Sequence, residues 1–325
     1  MATEPAIKSE IEKKVRIFYG RNLYQMLDKR ASSANAFQLI GLSCLRDLEI
    51  NRNVILTGDE AEGIHQMRIA VRRLRTSMSI FKDILEPDPQ TKVVKTQLKW
   101  LISQLAPARD IHVFQTESVE PIAQEQKDEF AELQRTLADR KDKAFAQARK
   151  AILSNEYHTD ISVMASWLVS GGWLKELDET QAKRLAEPVR DFAQMILTRR
   201  TRKVISQSKH LDELDATHRH ALRIMIKKLR YSVEFFGGVF PRKTFAKRQK
   251  ALKALTRLQN SLGKLNDIAV DKAEGVLQLP KSGDFETGYA AGLVAGRKQT
   301  EVKPLLAGAM KAAADLRKHR KGVSA

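Results

Sequence analysis

Two stretches of this 325-residue chain read "HQMRIAVRRLR", His65 to Arg75, and "HALRIMIKKLR", His220 to Arg230. A helical apolar period that returns half a chain later constrains the fold strongly, because whatever the first copy builds the second must build again. The duplication extends past these motifs. "LKWLISQLAPARDIHVF" aligns with "LTRLQNSLGKLNDIAV", setting Leu105 against Leu262, Asp110 against Asp267 and Val113 against Val270. The first motifs are offset by 155 residues and the second by 157. That period is far longer than a solenoid repeat, so each unit is expected to be a whole helical bundle.

Apolar residues elsewhere recur at three and four positions, and alternating runs bounded by turn residues are scarce. The chain is therefore expected to be all-α. Gly and Pro clusters at "LTGDEAEG", "LEPDPQ", "VEPIAQ", "SGGWLKELDE", "FFGGVFPR" and "LPKSGDFETG" divide it into about eight long helices. The architecture expected is two four-helix bundles, about 33–170 and 178–320, related by internal pseudo-two-fold symmetry. "SGGWLKELDE" is the expected divide, residues 1–32 an N-terminal helical extension, and the tail "DLRKHRKGVSA" is expected to fray.

Charge narrows the function classes. The chain carries 57 Lys and Arg against 39 Asp and Glu, a net +18. Between Leu197 and Asn260 stand 17 Lys and Arg against 4 Asp and Glu, a net +13, which leaves +5 for the other 261 residues. Such localisation favours a polyanionic partner: nucleic acid, an anionic membrane surface or inorganic polyphosphate. No apolar run approaches the roughly 20 residues of a membrane span, and the N-terminus lacks the pattern of a secretory signal, so a cytoplasmic location is expected. The one cysteine, Cys44, lies among apolar neighbours and reads as a core thiol.

On a helical wheel with His65 at zero, Arg68, Arg72 and Arg75 fall at about 300°, 340° and 280°, one basic stripe with the histidine. Met67, Val71, Leu74, Met78, Phe81 and Leu85 fall between about 160° and 240°, an adjoining apolar stripe. Arg73 points elsewhere, near about 80°. In the second copy Leu222, Ile226, Leu229, Val233, Phe236 and Phe240 take the apolar sector, while His220, Arg223, Lys227 and Arg230 take the basic one. Lys228 stands in the place of Arg73. Like charges at i, i+3 and i+4 repel. Asp59 with Glu62, and Asp215 or Thr217, are capping candidates that put both histidines near a helix N-terminus, where phosphate is favoured and cations are not. One such stripe is most simply a solvated face; two matched copies point to an anion.

These motifs, "HQMRIAVRRLR", "LAPARDIHV", "HALRIMIKKLRYSVEFF" and "LGKLNDIAV", resemble the repeated signatures of the CHAD family, the conserved histidine α-helical domain. The likeness spans about Ala34 to Arg320. It implies a helical domain with a basic central groove or pore that binds inorganic polyphosphate and associates with polyphosphate granules. Carried over by motif, the binding residues are His65, Arg68, Arg72, Arg73 and Arg75 in the first copy and His220, Arg223, Lys227, Lys228 and Arg230 in the second. Arg199, Arg200, Arg202 and Lys203, in "LTRRTRKV", resemble further basic positions. The family commonly has a second acid two residues after its "RD" pair, where this chain has His112. The Glu-x-Glu-x-Lys motif of the triphosphate tunnel domain that precedes many relatives is absent, so the stand-alone form is expected.

Other constellations carry less. The residues at i+3 and i+4 from His65 and His220 are arginine and isoleucine, so no metal site and no cofactor is expected. Asp110 and Asp267 read as structural support that orients neighbouring arginines; a Mg²⁺ role would need more acids. Trp100, Trp167 and Trp173 read as core, and Gly288, Gly292 and Gly296 as a stripe allowing close helix packing, with Arg297 and Lys298 at its end as candidates to line the anion groove. The function expected is non-enzymatic polyphosphate binding, with granule components as further partners, nucleic acid bound only nonspecifically and no membrane. The alternatives are a nucleic-acid-binding basic helical protein, or a metal-dependent polyphosphate hydrolase or its regulatory subunit.

Overall fold

The computed structural model describes Leu27 and residues 31–125, 130–175, 178–270 and 285–323. The N-terminal extension expected over 1–32 lies almost wholly outside these. Among the described residues the chain is helical without a strand: α1 Ser33–Leu56, α2 Glu60–Ile80, α3 Gln90–Val113, α4 Ala131–Ile152, α5 Asn155–Ser170, α6 Glu179–Ala186, α7 Val189–Gln207, α8 Ala216–Phe235, α9 Phe245–Val270 and α10 Phe285–His319. No helix among them is long and apolar enough to cross a membrane.

The chain forms two compact units that interleave along the sequence. The first comprises Met1–Arg109, Phe145–Ile196 and Tyr231–Pro241; the second comprises Asp110–Ala144, Leu197–Arg230 and Arg242–Ala325. The stretch expected to divide the chain lies inside the first unit. Its Trp173, 2% exposed, meets Phe37 and Trp167 edge-on. That aromatic cluster continues through Phe81 to Phe192 and Phe236. The Trp167 Nε1 donates to buried Asp88 Oδ2 at 2.6 Å, and Asp88 Oδ1 accepts from the backbone N–H of Gln90 at the start of α3. Trp167 and Trp173 are thus core residues, whereas Trp100 is partly exposed. Cys44 is also buried, and burial pushes its thiol up to about 12, away from nucleophilic chemistry.

The α1–α2 hairpin positions the first motif. Gly58 turns with φ +120°, a conformation L side chains rarely adopt. A Cβ on Gly63 would come within 3.0 Å of Asn51 O and still nearer Ile55, so only glycine lets the start of α2 lie this close to α1.

In the second unit α9 and α10 pack along each other, burying Ala251, Leu255, Leu258 and Leu262 on one helix and Ala309, Ala312, Ala313 and Leu316 on the other. Three expectations from sequence are corrected here. The "VEPIAQ" stretch does not break the helical path, because a π-turn over Phe114–Val119 leads into a short helix, Glu120–Ala123, with its proline in the first turn, where no donor is lost. Gly288, Gly292 and Gly296 are exposed and would admit a Cβ without contact; the face of α10 that packs is Ala290 with Val294, against Val119, Ile122, Phe130 and Leu133. The tail does not fray through Val323, which is fully buried, while Gly322 sits so close to the Lys247 backbone that a Cβ would clash.

Replacing Trp167 by Phe should cost about 1–3 kcal/mol, the penalty for leaving the buried Asp88 carboxyl oxygen without its donor. Urea unfolding of the two proteins would measure it, and an unchanged midpoint would remove this bond from the account of the core.

Candidate functional site

Each motif helix has its rotation fixed by the apolar sector read from the sequence. Met67, Val71, Leu74 and Met78 on α2, with Phe81 and Leu85 just past its end, are all at most 3% exposed, and Leu222, Ile226, Leu229 and Val233 on α8, with Phe236 and Phe240 past its end, at most 6%. Each such side chain contributes about 1.5–3 kcal/mol on leaving water, so twisting either helix to hide its cations would expose several of them at once. The cations therefore stay on the flank. Both helix starts are capped as the sequence suggested: Asp59 Oδ1 accepts from the Glu62 backbone N–H at 3.3 Å, and Asp215 Oδ1 from that of His218 at 2.8 Å. His65 and His220 consequently sit in the second turn of α2 and α8.

In the first unit His65, Arg68 and Arg72 are half-buried and Arg75 is exposed. Arg72 Nε donates to Arg68 O at 3.2 Å, which holds that guanidinium along the helix. Burial holds His65 below the ordinary histidine range; the charge of Arg109 pushes the same way, Glu62 opposes it, and Arg72 and Arg68 add smaller downward pushes. Arg109 was not among the residues singled out from sequence. It is the first letter of the "RD" pair, and α3 brings its charge within electrostatic reach of His65; only the distance of 44 residues in the chain concealed it.

Arg73 stands apart from the stripe. Its guanidinium lies 3.9 Å from Asp47 Oδ2, with the arginine side chain 13% exposed, and 5.7 Å from the centre of the Phe235 ring. Asp47 also accepts from Arg46 at 3.1 Å. These contacts make Arg73 a residue of the packing between α2 and its surroundings.

In the second unit His220 is exposed, and its Nδ1 donates to Asn266 Oδ1 at 2.5 Å. Arg223, with its side chain 20% exposed, lies 3.9 Å from Asp267. Lys227 and Lys228 are half-buried, and Arg230 Nε donates to Gln259 Oε1 at 3.0 Å. Asp267 therefore stands where it can orient Arg223, while Asp110 is exposed at the end of α3. On α7, Arg199, Arg202 and Lys203 are exposed and Arg200 is half-buried, its guanidinium lowered by burial and by Arg199 to about 10 and still cationic at neutral pH. Arg297 lies 3.6 Å from Glu125, and the Lys298 ammonium is 5.3 Å from the Phe114 ring centre, so both reach the π-turn region of their own unit. His112 is half-buried, and its carbonyl accepts from Thr116 Oγ1 at 2.9 Å as the π-turn begins.

Two helices thus present a histidine followed by three cations at matched positions, and in the second repeat Asn266 and Asp267 of the other motif reach them. The sequence profile of the CHAD domain matches residues 40–274, which includes all four motifs. The chain belongs to the CHAD domain family. Among solved structures, the CHAD domain from the plant Ricinus communis is similar over 92% of this chain and 94% of its own, at 25% identity and a TM-score of 0.70. PptA from Streptomyces chartreusis is similar over 87% of this chain and 99% of its own, at 14% identity and a TM-score of 0.61, a likeness of fold. A comparison with the curated proteins finds no match. The CHAD fold is accordingly an all-α fold in this chain.

Because His65 is held below its ordinary pKa, the unfolded chain binds more protons as pH falls through about 6.5, the unperturbed histidine value. Its contribution to stability is undiminished above that value and is lost progressively down to the folded pKa. His65→Gln should therefore flatten the fall in the urea midpoint between neutral pH and about pH 5 in phosphate-free buffer. An identical pH profile in the two proteins would contradict the burial and charge assigned to this ring.

Proposed function

We propose that this CHAD protein binds inorganic polyphosphate through the basic flanks of α2 and α8, without chemical turnover, and thereby associates with polyphosphate granules in the cytoplasm. The observation that carries the reading is the matched geometry of the two motif helices. In each, complete burial of one sector leaves a histidine and cations at the same positions on the flank. The rungs recur roughly every turn, ~5.4 Å along the helix. Arginine adds forked hydrogen bonds to phosphate oxygens, and lysine supplies a mobile point charge.

The ligand is read as a polyanion without bases. Aromatics make up 6% of the chain, none lies on the basic stripes, and two of the three tryptophans are committed to the core. Base stacking would need such groups on the binding face. The resemblance of the four motifs to the CHAD signatures supports polyphosphate in particular. Asp110 and Asp267 are read as support for the arginines, one per repeat.

Reversing Arg72, Arg75, Lys227 and Arg230 to Glu should weaken binding of long-chain polyphosphate on the order of a hundredfold or more and flatten the dependence of log affinity on log salt. Titration at two salt concentrations measures both, and equal affinities would sink the assignment. Displacement of polyphosphate by RNA or DNA at equal phosphate concentration would favour a nucleic-acid-binding protein instead. Chain shortening with Mg²⁺ or Mn²⁺, abolished by Asp110→Asn or Asp267→Asn, would overturn the non-enzymatic reading.

A further inference from the structure

In the second repeat a histidine, an amide and a carboxylate stand in a row. His220 Nδ1 lies 2.5 Å from Asn266 Oδ1, Asn266 Nδ2 donates to Asp267 Oδ1 at 3.4 Å, and that same carboxylate oxygen is 3.9 Å from the Arg223 guanidinium. The direction of the row is fixed at its far end. A carboxylate accepts and does not donate, so the amide turns its Nδ2–H toward Asp267 and its Oδ1 toward the ring. An amide oxygen also only accepts, so the hydrogen of the neutral imidazole sits on Nδ1. Asp267, two hydrogen bonds away, thereby selects the tautomer of His220.

What the ring offers to a ligand follows from that choice. His220 is exposed, and with the hydrogen on Nδ1 its neutral form carries a lone pair on Nε2. A phosphate oxygen meeting that lone pair meets a second acceptor. Protonation turns Nε2 into a donor and the ring into a cation, a charge-assisted partner for phosphate. The charged and titratable groups around the ring, among the described residues, are Arg223 and Lys227 one and two turns on along α8, Asp215, His218 and Arg219 at the start of that helix, and Asp267 with exposed Lys264 on α9. The first repeat is built differently: the position aligned with Asn266 holds Arg109, whose guanidinium only donates, and His65 Nδ1 has no hydrogen-bond partner among the described residues.

We propose that Asn266, oriented by Asp267, locks His220 in the Nδ1–H tautomer, so that this ring binds phosphate only when protonated and polyphosphate binding at the second repeat takes up a proton. This rests on the polyphosphate reading and adds regulation to it, with Asn266 and Asp267 as positioning residues. The sign follows from the binding form: the imidazolium is what phosphate holds, so affinity is greatest at low pH and falls as pH rises. Without the lock a neutral ring is free to carry its hydrogen on Nε2 and donate to phosphate, and that dependence weakens.

The test uses the full chain and long-chain inorganic polyphosphate at constant ionic strength. Wild-type affinity should fall about tenfold between about pH 6 and about pH 8, the loss of one charge-assisted hydrogen bond. Calorimetry in buffers of different ionisation enthalpy should show proton uptake on binding. His220→Gln should remove most of the fall and of the uptake. Asn266→Ala should keep the low-pH affinity and lose most of the fall, because the neutral ring then donates. Ring nitrogen shifts measured by NMR at about pH 8 supply a second readout: the wild-type His220 should carry its hydrogen on Nδ1, and Asn266→Ala should show a mixture of tautomers. A wild-type ring with its hydrogen on Nε2, or one pH profile shared by the wild type and His220→Gln, would overturn the inference while polyphosphate binding stands. If the wild-type protein does not bind polyphosphate, both readings fall together.

Discussion

Burial of the apolar sector on α2 and α8 is the interaction on which the candidate site depends. A cationic side chain has many ways to stay solvated, so nothing in a basic stripe fixes its own direction. Met67, Val71, Leu74 and Met78 on α2 and Leu222, Ile226, Leu229 and Val233 on α8 do that: rotating either helix by one residue would expose side chains worth about 1.5–3 kcal/mol each. The hydrophobic faces are thus what hold like charges at i, i+3 and i+4 in spite of their repulsion. Gly63 adds to this at the start of α2, because its lack of a side chain lets the helix lie close on α1 and carry His65 into partly buried surroundings.

Within that frame the cations have separate fates. Arg73 is drawn to Asp47 and the face of Phe235, and Arg230 is steadied by Gln259. Arg75, Arg199, Arg202 and Lys203 remain exposed. The half-buried members, Arg68 and Arg72 in one unit and Arg223 and Lys227 in the other, combine partial desolvation with access from solvent. A phosphate meeting such groups gains more from each contact than it would at fully hydrated side chains, since the local dielectric is lower.

Much of this was legible in the sequence. The all-α fold, the membership of every apolar-sector residue in the core, the helix caps at Asp59 and Asp215 and the core roles of Cys44, Trp167 and Trp173 all follow from local period, cap chemistry and neighbours. The parts that were misread share a different character. The glycines at 288, 292 and 296 lie on an exposed face, and the tail packs Val323 into the core. Small residues and short basic tails look alike whether a neighbouring helix covers them or not, and only the covering helix tells them apart. Continuous helices also serve both compact units, so a boundary sought at a Gly-rich turn was placed inside one of them.

The division has a physical basis. Backbone geometry repeats every 3.6 residues, so the direction of each motif side chain relative to its own helix was already written in "HQMRIAVRRLR" and "HALRIMIKKLR". Which distant side chain meets His65 or His220 depends on how whole helices pack, a long-range property without a local signature. His220 meets Asn266 through a hydrogen bond, whereas the strongest charge acting on His65 is that of Arg109, a difference that the two matching wheels do not contain.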